Sequence, residues 1–360
     1  MLLRLILLPT LLVCAAACGG SDGGGSRPPP ETGPPSAGAP ETVSPTFLPD
    51  ATPRPVSFAF AAAGDHGANA DTNASLAALD ESGVDFYLAL GDMDYGETKS
   101  DAAWCDYVHG RLQTLGSEFP FEVVSGNHEE RGGPDGDILR HAACLPDRLS
   151  STGAYAAQYY FDYPASSPLV RVIMIAPDLN VGGVEYKYAA GGEHYRWLSQ
   201  TIDEARALGV PWVVVGMHKN CITTGAKECE IGVDLLNLLV SKEVDLILQA
   251  HDHNYQRSKQ LGHGRGCAAL EADAYDATCV VDHGLDARYA KGAGTVIVVS
   301  GTFGMPLYPV KPGDPEADYF AVIDATSHGF TRFTVTGDRI DAAFVPITGD
   351  LTDAFTIASE

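Results

Sequence analysis

From about residue 56 onward, short apolar runs alternate with longer stretches in which apolar positions recur every three or four residues. The short runs at 57–63, 86–90, 121–125, 170–176, 212–216, 245–249, 295–300, 320–324 and 330–336 read as strands, and a last strand is predicted over roughly 339–346. The periodic stretches at 72–82, 101–115, 194–208 and 233–241 read as helices. In the third of these, Trp197, Leu198, Ile202 and Ala205 share one face with polar residues between them, which marks that face as core. Early strand–helix alternation predicts an α/β domain with a largely parallel or mixed sheet covered by helices. No second linker and no internal repeat interrupts the pattern, so residues 56–360 are predicted to form one domain.

Before residue 56 the pattern disappears. Residues 19–55 are dominated by Gly, Pro, Ser, Ala and Thr, with Gly23–Gly25 as a glycine run and Pro28–Pro30 as a proline run. Such a segment cannot bury enough apolar surface to repay ordering, and it is predicted to be a disordered tether, flexible first and stiffer later. Residues 1–18 carry one early charge at Arg4, an apolar stretch from 5 to 13, and the small residues Ala15, Ala16 and Ala17, which reads as an export leader. The stretch is too short and too quickly broken for a membrane span.

Five of the predicted strands end alike. The run at 57–63 leads into Gly64-Asp65, that at 86–90 into Gly91-Asp92, and that at 121–125 into Gly126-Asn127-His128. The run at 212–216 leads into Met217-His218, and that at 245–249 into Ala250-His251-Asp252-His253. Loops beyond the carboxyl ends of parallel strands converge on one crevice, so these strands deliver Asp65, Asp92, Asn127, His218, His251 and His253 to one place. Any one Gly-Asp is an ordinary turn and any one histidine an ordinary surface residue. Five in the same position relative to their strands point to a metal centre. Carboxylate and amide oxygens suit hard cations, imidazole suits Zn, Fe or Mn, and Asp92 has two oxygens with which to bridge a pair of ions. His251 and His253 lie two apart, which on an extended segment turns both to one side. Two cations so held activate water and clamp a phosphoryl group.

Composition narrows the partners. Hydrophobic residues make up 45% and charged residues 19% of the 360, enough for a sizeable core, while the formal net charge is −24. No nucleic-acid binding is expected of so acidic a chain, since a basic footprint is lacking. A small phosphorylated substrate stays open, because bound cations invert the field inside one cleft. Of eight cysteines, Cys14 and Cys18 fall in the leader, and the other six suggest disulfides in an exported domain. Six cysteines allow about fifteen pairings. Proximity favours Cys221–Cys229 and Cys267–Cys279, leaving Cys105–Cys144.

Cys18, directly after three alanines and before Gly19-Gly20-Ser21, resembles the lipidated cysteine of a bacterial lipoprotein signal. That resemblance implies a membrane-anchored lipoprotein at the cell envelope, with an ordinary cleaved leader and a secreted product as the alternative. Cys14, preceded by Val13, fits the cleavage pattern less well.

The segments G-D-x-G from Gly64, G-D-x-x-Y from Gly91 to Tyr95, G-N-H-E from Gly126 to Glu129, V-x-x-H from Val215 to His218, and A-H-D-H from Ala250 to His253 resemble the calcineurin-like metallophosphoesterase superfamily. Tyr95, three residues after Asp92, is similar to the phenolate ligand of the purple, tartrate-resistant-type acid phosphatases within it. The resemblance implies a four-layer α/β/β/α sandwich of two mixed sheets flanked by helices, with the metal site at the carboxyl ends of the strands. It implies Fe(III) on Asp65, Asp92, Tyr95 and His253, and Fe(II), Zn(II) or Mn(II) on Asp92, Asn127, His218 and His251. It implies hydrolysis of phosphate monoesters by a metal-bound hydroxide, with Asn127 and His128 against the phosphate and His128 protonating the leaving group. A phosphodiesterase or nucleotide hydrolase on the same site, or a non-catalytic metal-binding surface lipoprotein, are the alternatives. A cytoplasmic protein phosphatase is disfavoured by the leader and the cysteines.

Three departures from the family pattern stand out. Ala250 replaces the usual glycine. No histidine occupies the region from Lys219 to Cys229, where the family places a substrate-contacting one, so His66, Lys219 or Lys227 is expected to hold the phosphate instead. An acidic insertion at 261–294 is expected to rim the site. Tyr255 and Arg257 are expected to support or pack, the loop of Thr302 to Pro306 to wall the pocket, and His109, His141, His194, His263, His283 and His328 to be surface or structural residues.

Overall fold

A computed structural model describes residues 57–130, 136–264 and 266–359. The leader and tether predicted over 1–55 lie outside the described residues. Two mixed sheets form the centre. The first has seven strands in the spatial order Arg288–Ala290, Ala354–Ala358, Arg339–Pro346, Gly329–Val335, Phe58–Ala63, Phe86–Ala89 and Phe121–Val123. The second has eight, in the order Phe320–Asp324, Tyr255–Ser258, Val296–Ser300, Leu246–Gln249, Trp212–Gly216, Val170–Ile175, Gln158–Tyr163 and Thr152–Ala154.

The parallel pairings lie where the sequence pattern alternates strand with helix. Phe58–Ala63 pairs parallel with Phe86–Ala89, which pairs parallel with Phe121–Val123. In the other sheet Val170–Ile175, Trp212–Gly216, Leu246–Gln249 and Val296–Ser300 run parallel as neighbours. Their side chains are buried on both faces, which explains continuous apolar runs rather than alternation. Part of the core is an aromatic cluster. The Phe60 ring lies 5.1 Å from Phe86 and 4.7 Å from Phe333, and Phe86 meets Phe161 and Tyr163 edge-on at 5.5 and 5.1 Å.

The helices Ala70–Glu81, Asp101–His109, Glu193–Ala207 and Val233–Ser241 form where periodicity predicts them, with one clear difference. The second ends at His109 rather than 115. The amides of Thr114 and Leu115 donate instead to the Asp80 carboxylate at 2.8–3.0 Å, which ties that stretch to the preceding helix. A further helix, Ile138–Cys144, begins at Asp137, whose side chain accepts from Leu139 N at 2.9 Å. The last strand is Ala354–Ala358, antiparallel to Arg339–Pro346, and not 339–346 itself. All three expected disulfides are present: Cys105–Cys144, Cys221–Cys229 and Cys267–Cys279.

Candidate metal centre

The site is assembled by loops at the carboxyl ends of strands from both sheets. Asp65, Asp92, Tyr95 and His251 all sit in the left-handed region, with φ of 62°, 53°, 56° and 68°. Each non-glycine residue held there costs free energy, on the order of 1 kcal/mol or more, so four together mark a site whose geometry is imposed by its surroundings. The glycines beside them serve two different needs. Gly91 has φ 86° and turns the chain, whereas Gly126 is required for close approach, since a Cβ there would collide with the Asp92 carboxylate. Ala250 packs against Gly64 where a Cβ on Gly64 would lie, so the extra methyl is accommodated by that glycine.

The donor atoms converge on Asp92. The Tyr95 hydroxyl lies 2.6 Å from Asp65 Oδ1, 3.0 Å from Asp92 Oδ2 and 3.1 Å from His253 Nε2. His253 Nε2 is 3.0 Å from Asp65 Oδ1. On the other side, His218 Nε2 lies 3.1 Å from Asp92 Oδ2 and 3.2 Å from Asn127 Oδ1, and the His251 ring is 4.7 Å from that of His218. Donor atoms of Asp92, His218 and His251 fall within 4.8 Å of one another. One oxygen, Asp92 Oδ2, therefore faces both sets. Its other oxygen, Oδ1, accepts the His128 amide at 3.0 Å.

Asp65 and Asp92 are buried, and among the described residues their ion-pair partners are imidazoles alone. Burial raises the Asp65 carboxyl, but the charge and hydrogen bond of His253 outweigh it and hold it well below the usual range. Burial opposes a charge on His218, yet Asp92 outweighs that and holds the imidazole up at about 9. The Tyr95 phenol is pushed well above its ordinary value by burial and then by Asp65 and Asp92. Two buried carboxylates, a phenol, an amide oxygen and three imidazoles, all but His251 within hydrogen-bonding distance of a neighbour and His251 within 4.8 Å of Asp92 and His218, form a donor set that suits a pair of cations of hard to intermediate character. A cation between Asp65 and Asp92 would relieve the same repulsion that keeps the phenol protonated.

Several supporting groups have roles that sequence spacing does not reveal, even where, as for Glu129 and Asp252, they lie inside the sequence motifs. Glu129 is buried and accepts the amides of Met93, Gly126 at 3.1 Å and Asp92 at 3.2 Å, locking the second and third loops together. Burial and Asp92 push its carboxyl up to about 8. Glu230 accepts from His251 Nε2 at 2.8 Å, which leaves Nδ1 of that ring for the metal side. The His251 hydrogen bond, with help from Lys219, holds Glu230 down at about 2. Asp252, between the two terminal histidines, accepts from Thr223 Oγ1 and Ala226 N, both at 2.6 Å. The loop of Thr302 to Pro306 props the site from below. Gly304 N and Met305 N donate to Asp65 O at 3.1 and 3.0 Å, and Pro306 O accepts from His253 Nδ1 at 2.9 Å.

Two expected phosphate contacts are corrected. His66 is fully buried, its Nε2 3.0 Å from the Tyr87 hydroxyl and its ring against Phe303 at 4.6 Å, so it has no surface to offer a substrate. Burial holds its imidazole down at about 4. Lys219 is buried and spends its ammonium on Glu230 at 3.0 Å and on Asp178 O at 3.1 Å, so it braces the His251 partner. His128 is half-buried at the mouth, its ring 4.1 Å from that of Tyr95 and its Nε2 3.8 Å from Asp92 Oδ2. Tyr255 and Arg257 serve structure: both bind Asp353, the tyrosine at 2.7 Å and the guanidinium at 2.8 and 3.0 Å. The acidic insertion is held by Asn237, Glu316, Tyr319, Arg257 and the strand Ala354–Ala358, and none of its described hydrogen bonds reaches a candidate metal donor, which moves it away from the expected rim.

The chain belongs to the calcineurin-like phosphoesterase family, whose profile matches residues 58–255. Purple acid phosphatase 21 of Arabidopsis thaliana is 28% identical over 211 residues, covering 56% of this chain and 45% of that protein. An uncharacterized protein of Mycobacterium tuberculosis is 31% identical over 190 residues, covering 49% of this chain and 35% of its own length. The chain thus spans less than half the length of these curated relatives. Among solved structures, the purple acid phosphatase PPD1 from yellow lupin seeds matches with a TM-score of 0.63 and 17% identity over 85% of this chain and 55% of that one. A dimetal phosphatase from Danio rerio matches with a TM-score of 0.52 and 14% identity over 85% of this chain and 100% of that one. These two likenesses are of fold.

Proposed function

We propose that this chain hydrolyses phosphate monoesters at a dimetal centre of the purple acid phosphatase kind. The observation that carries the reading is the position of Asp92 Oδ2, 3.0 Å from the Tyr95 hydroxyl and 3.1 Å from His218 Nε2, between the two candidate donor sets. Asp65, Asp92, Tyr95 and His253 would hold one ion, with the phenolate favouring Fe(III). Asp92, Asn127, His218 and His251 would hold the other, as Fe(II), Zn(II) or Mn(II). When bound, the pair supplies Lewis acidity toward the phosphoryl group and lowers the pKa of water at the site.

The remaining steps fall to the chain. The Asn127 amide and the His128 imidazole would contact the phosphate. As water attacks phosphorus, losing a proton to solvent, and the ester P–O bond breaks, His128 would deliver a proton to the departing alcohol oxygen. The His128 amide on Asp92 Oδ1 fixes the backbone of that acid relative to the metal ligands. Glu129 and Glu230 keep the loops and the His251 ring in place, so little reorganisation accompanies turnover. Export of the domain, with a lipid on Cys18 as the anchor, completes the proposal; three disulfides suit an oxidising compartment.

The test compares p-nitrophenyl phosphate with bis(p-nitrophenyl) phosphate and reads the visible spectrum. Iron-loaded protein is expected to be violet, to prefer the monoester, and to bleach in Tyr95→Phe. A colourless, iron-free protein with full activity would remove Tyr95 from the ligand set, and preference for the diester would overturn the monoesterase reading.

A further inference from the structure

The loop between Cys221 and Cys229 is closed by its disulfide and fastened to the metal site from beneath. Asp252 Oδ1 accepts the amides of Ala226 at 2.6 Å and Lys227 at 3.2 Å, so the backbone of Lys227 hangs on the residue between His251 and His253. Gly225 permits this, because a Cβ there would occupy the space of the Asp252 carboxylate. From the other side, Lys311 N donates to Thr224 O at 2.7 Å.

Tyr308 completes the wall. Its amide donates to His253 O at 2.8 Å and its ring stacks on the His253 imidazole, centroids 4.0 Å apart and planes 11° apart. The Lys227 ammonium lies over that ring, 5.9 Å from its centroid, within cation–π range. Tyr308 thus flanks His253, and Lys227, hung on Asp252, directs its ammonium toward the Tyr308 ring. Lys219 is committed to Glu230 and Asp178, whereas among the described residues no carboxylate lies within ion-pair distance of Lys227. Lys227 is half-buried, in a chain with a net charge of −24.

We propose that the Lys227 ammonium, seated on the Tyr308 ring beside His253, binds the non-bridging phosphoryl oxygens of the substrate and so selects dianionic monoesters over monoanionic diesters. The proposal rests on the phosphatase reading above and names the group that sets its ester class. A dianion carries twice the charge of a diester for the ammonium to attract, and its free oxygens accept the three N–H donors without an ester substituent in the way. The Tyr308 ring, 5.9 Å from the ammonium, offers it a face on the side of His253.

The experiment uses the full chain loaded with iron and zinc, as wild type, Lys227→Met and Lys227→Arg. It measures the dissociation constant of inorganic phosphate by calorimetry and kcat/KM for p-nitrophenyl phosphate and bis(p-nitrophenyl) phosphate. Loss of one charged hydrogen bond predicts phosphate binding weaker by about tenfold or more in Lys227→Met, with an equal fall for the monoester and a change under about threefold for the diester. Lys227→Arg is expected to restore most of the phosphate affinity. Metal content and the unfolding midpoint are expected to match wild type, which a merely structural lysine would not allow. Unchanged phosphate affinity in Lys227→Met, or equal losses for both esters, would overturn the proposal. If the wild type turns over neither ester, the phosphatase reading fails, and the phosphate titration still decides whether Lys227 binds the anion.

Discussion

Glu122 shows how one buried carboxyl couples this protein's stability to pH. It lies on the strand Phe121–Val123, fully buried, and accepts the amide of Arg148 at 3.1 Å. Burial pushes its carboxyl from an ordinary 4.5 up to about 7, with Asp147 adding repulsion. Between those two values the folded state binds more protons than the unfolded chain, so this residue's contribution to stability falls as pH rises from about 4.5 to about 7. Glu122→Gln is neutral at every pH and removes that slope. The variant is therefore expected to gain on wild type between pH 5 and pH 8, by an amount on the order of 3 kcal/mol at most. Urea unfolding at the two pH values checks this, and parallel pH dependences would show that Glu122 is not the coupled group. Six of the seven candidate donors are legible in the chain because each follows a strand end, visible as the point where an apolar run stops, whereas Tyr95 is legible only through the family resemblance. Glu129, Glu230 and Asp252 are not legible in the same way. Their roles come from amides and imidazoles that reach them through the fold, and no spacing rule encodes such a partner. His66 misleads for the opposite reason. It adjoins Asp65 in sequence, but the left-handed turn at Asp65 sends the two side chains apart, one to the metal site and one into an aromatic pocket with Tyr87 and Phe303.

At the scale of elements, the strand Tyr255–Ser258 is the instructive case. Its sequence is polar, so no apolar run announces it, yet all four residues are buried between Val296–Ser300 and Phe320–Asp324. Its polar groups are satisfied from outside the sheet. Asp353 takes Tyr255 and both arms of Arg257, and Gln256 accepts Thr224 N at 2.8 Å and donates to Thr223 Oγ1 at 2.8 Å. The strand thus links the segment before Ala354–Ala358 to the loop that carries Lys227. Removing one partner of a buried pair leaves an uncompensated charge, so Asp353→Ala is expected to cost about 3–5 kcal/mol. The double variant Arg257→Met/Asp353→Leu is expected to recover much of that, because the charge and its desolvation vanish together. Equilibrium unfolding of the single and double variants decides it: a double variant no more stable than Asp353→Ala would mean that the pair's shape, not its charge, matters. The long parallel strands were legible because both their faces are apolar. The short edge strands Thr152–Ala154 and Arg288–Ala290 were not, since edge pairing depends on a neighbour supplied by the fold.

For the whole molecule, the seven donors are shared between two sheets, three strand ends from one and two from the other, and only packing of the sheets completes the site. The apolar pattern predicted α/β alternation and convergence but did not say that convergence crosses sheets, because a run of residues does not record which sheet it joins. Attachment of the domain to its surroundings is the last question of scale. Among the described residues no helix is long and apolar enough to cross a membrane. The chain's net charge of −24 would be repelled by an anionic lipid surface rather than drawn to it. The proposed lipid on Cys18 would supply the attachment instead, and more than one acyl chain is needed for firm anchoring. The proposed lipid on Cys18 predicts that full-length protein made in a bacterial host sediments with membranes, resists about 1 M salt, where the Debye length falls to about 3 Å, and is released by detergent. Cys18→Ser is expected to move it to the soluble fraction while Cys14→Ser leaves it in place. Release of the wild-type protein by salt alone would replace the anchor with charge contacts, and a soluble exported wild type would reduce the leader to an ordinary cleaved one.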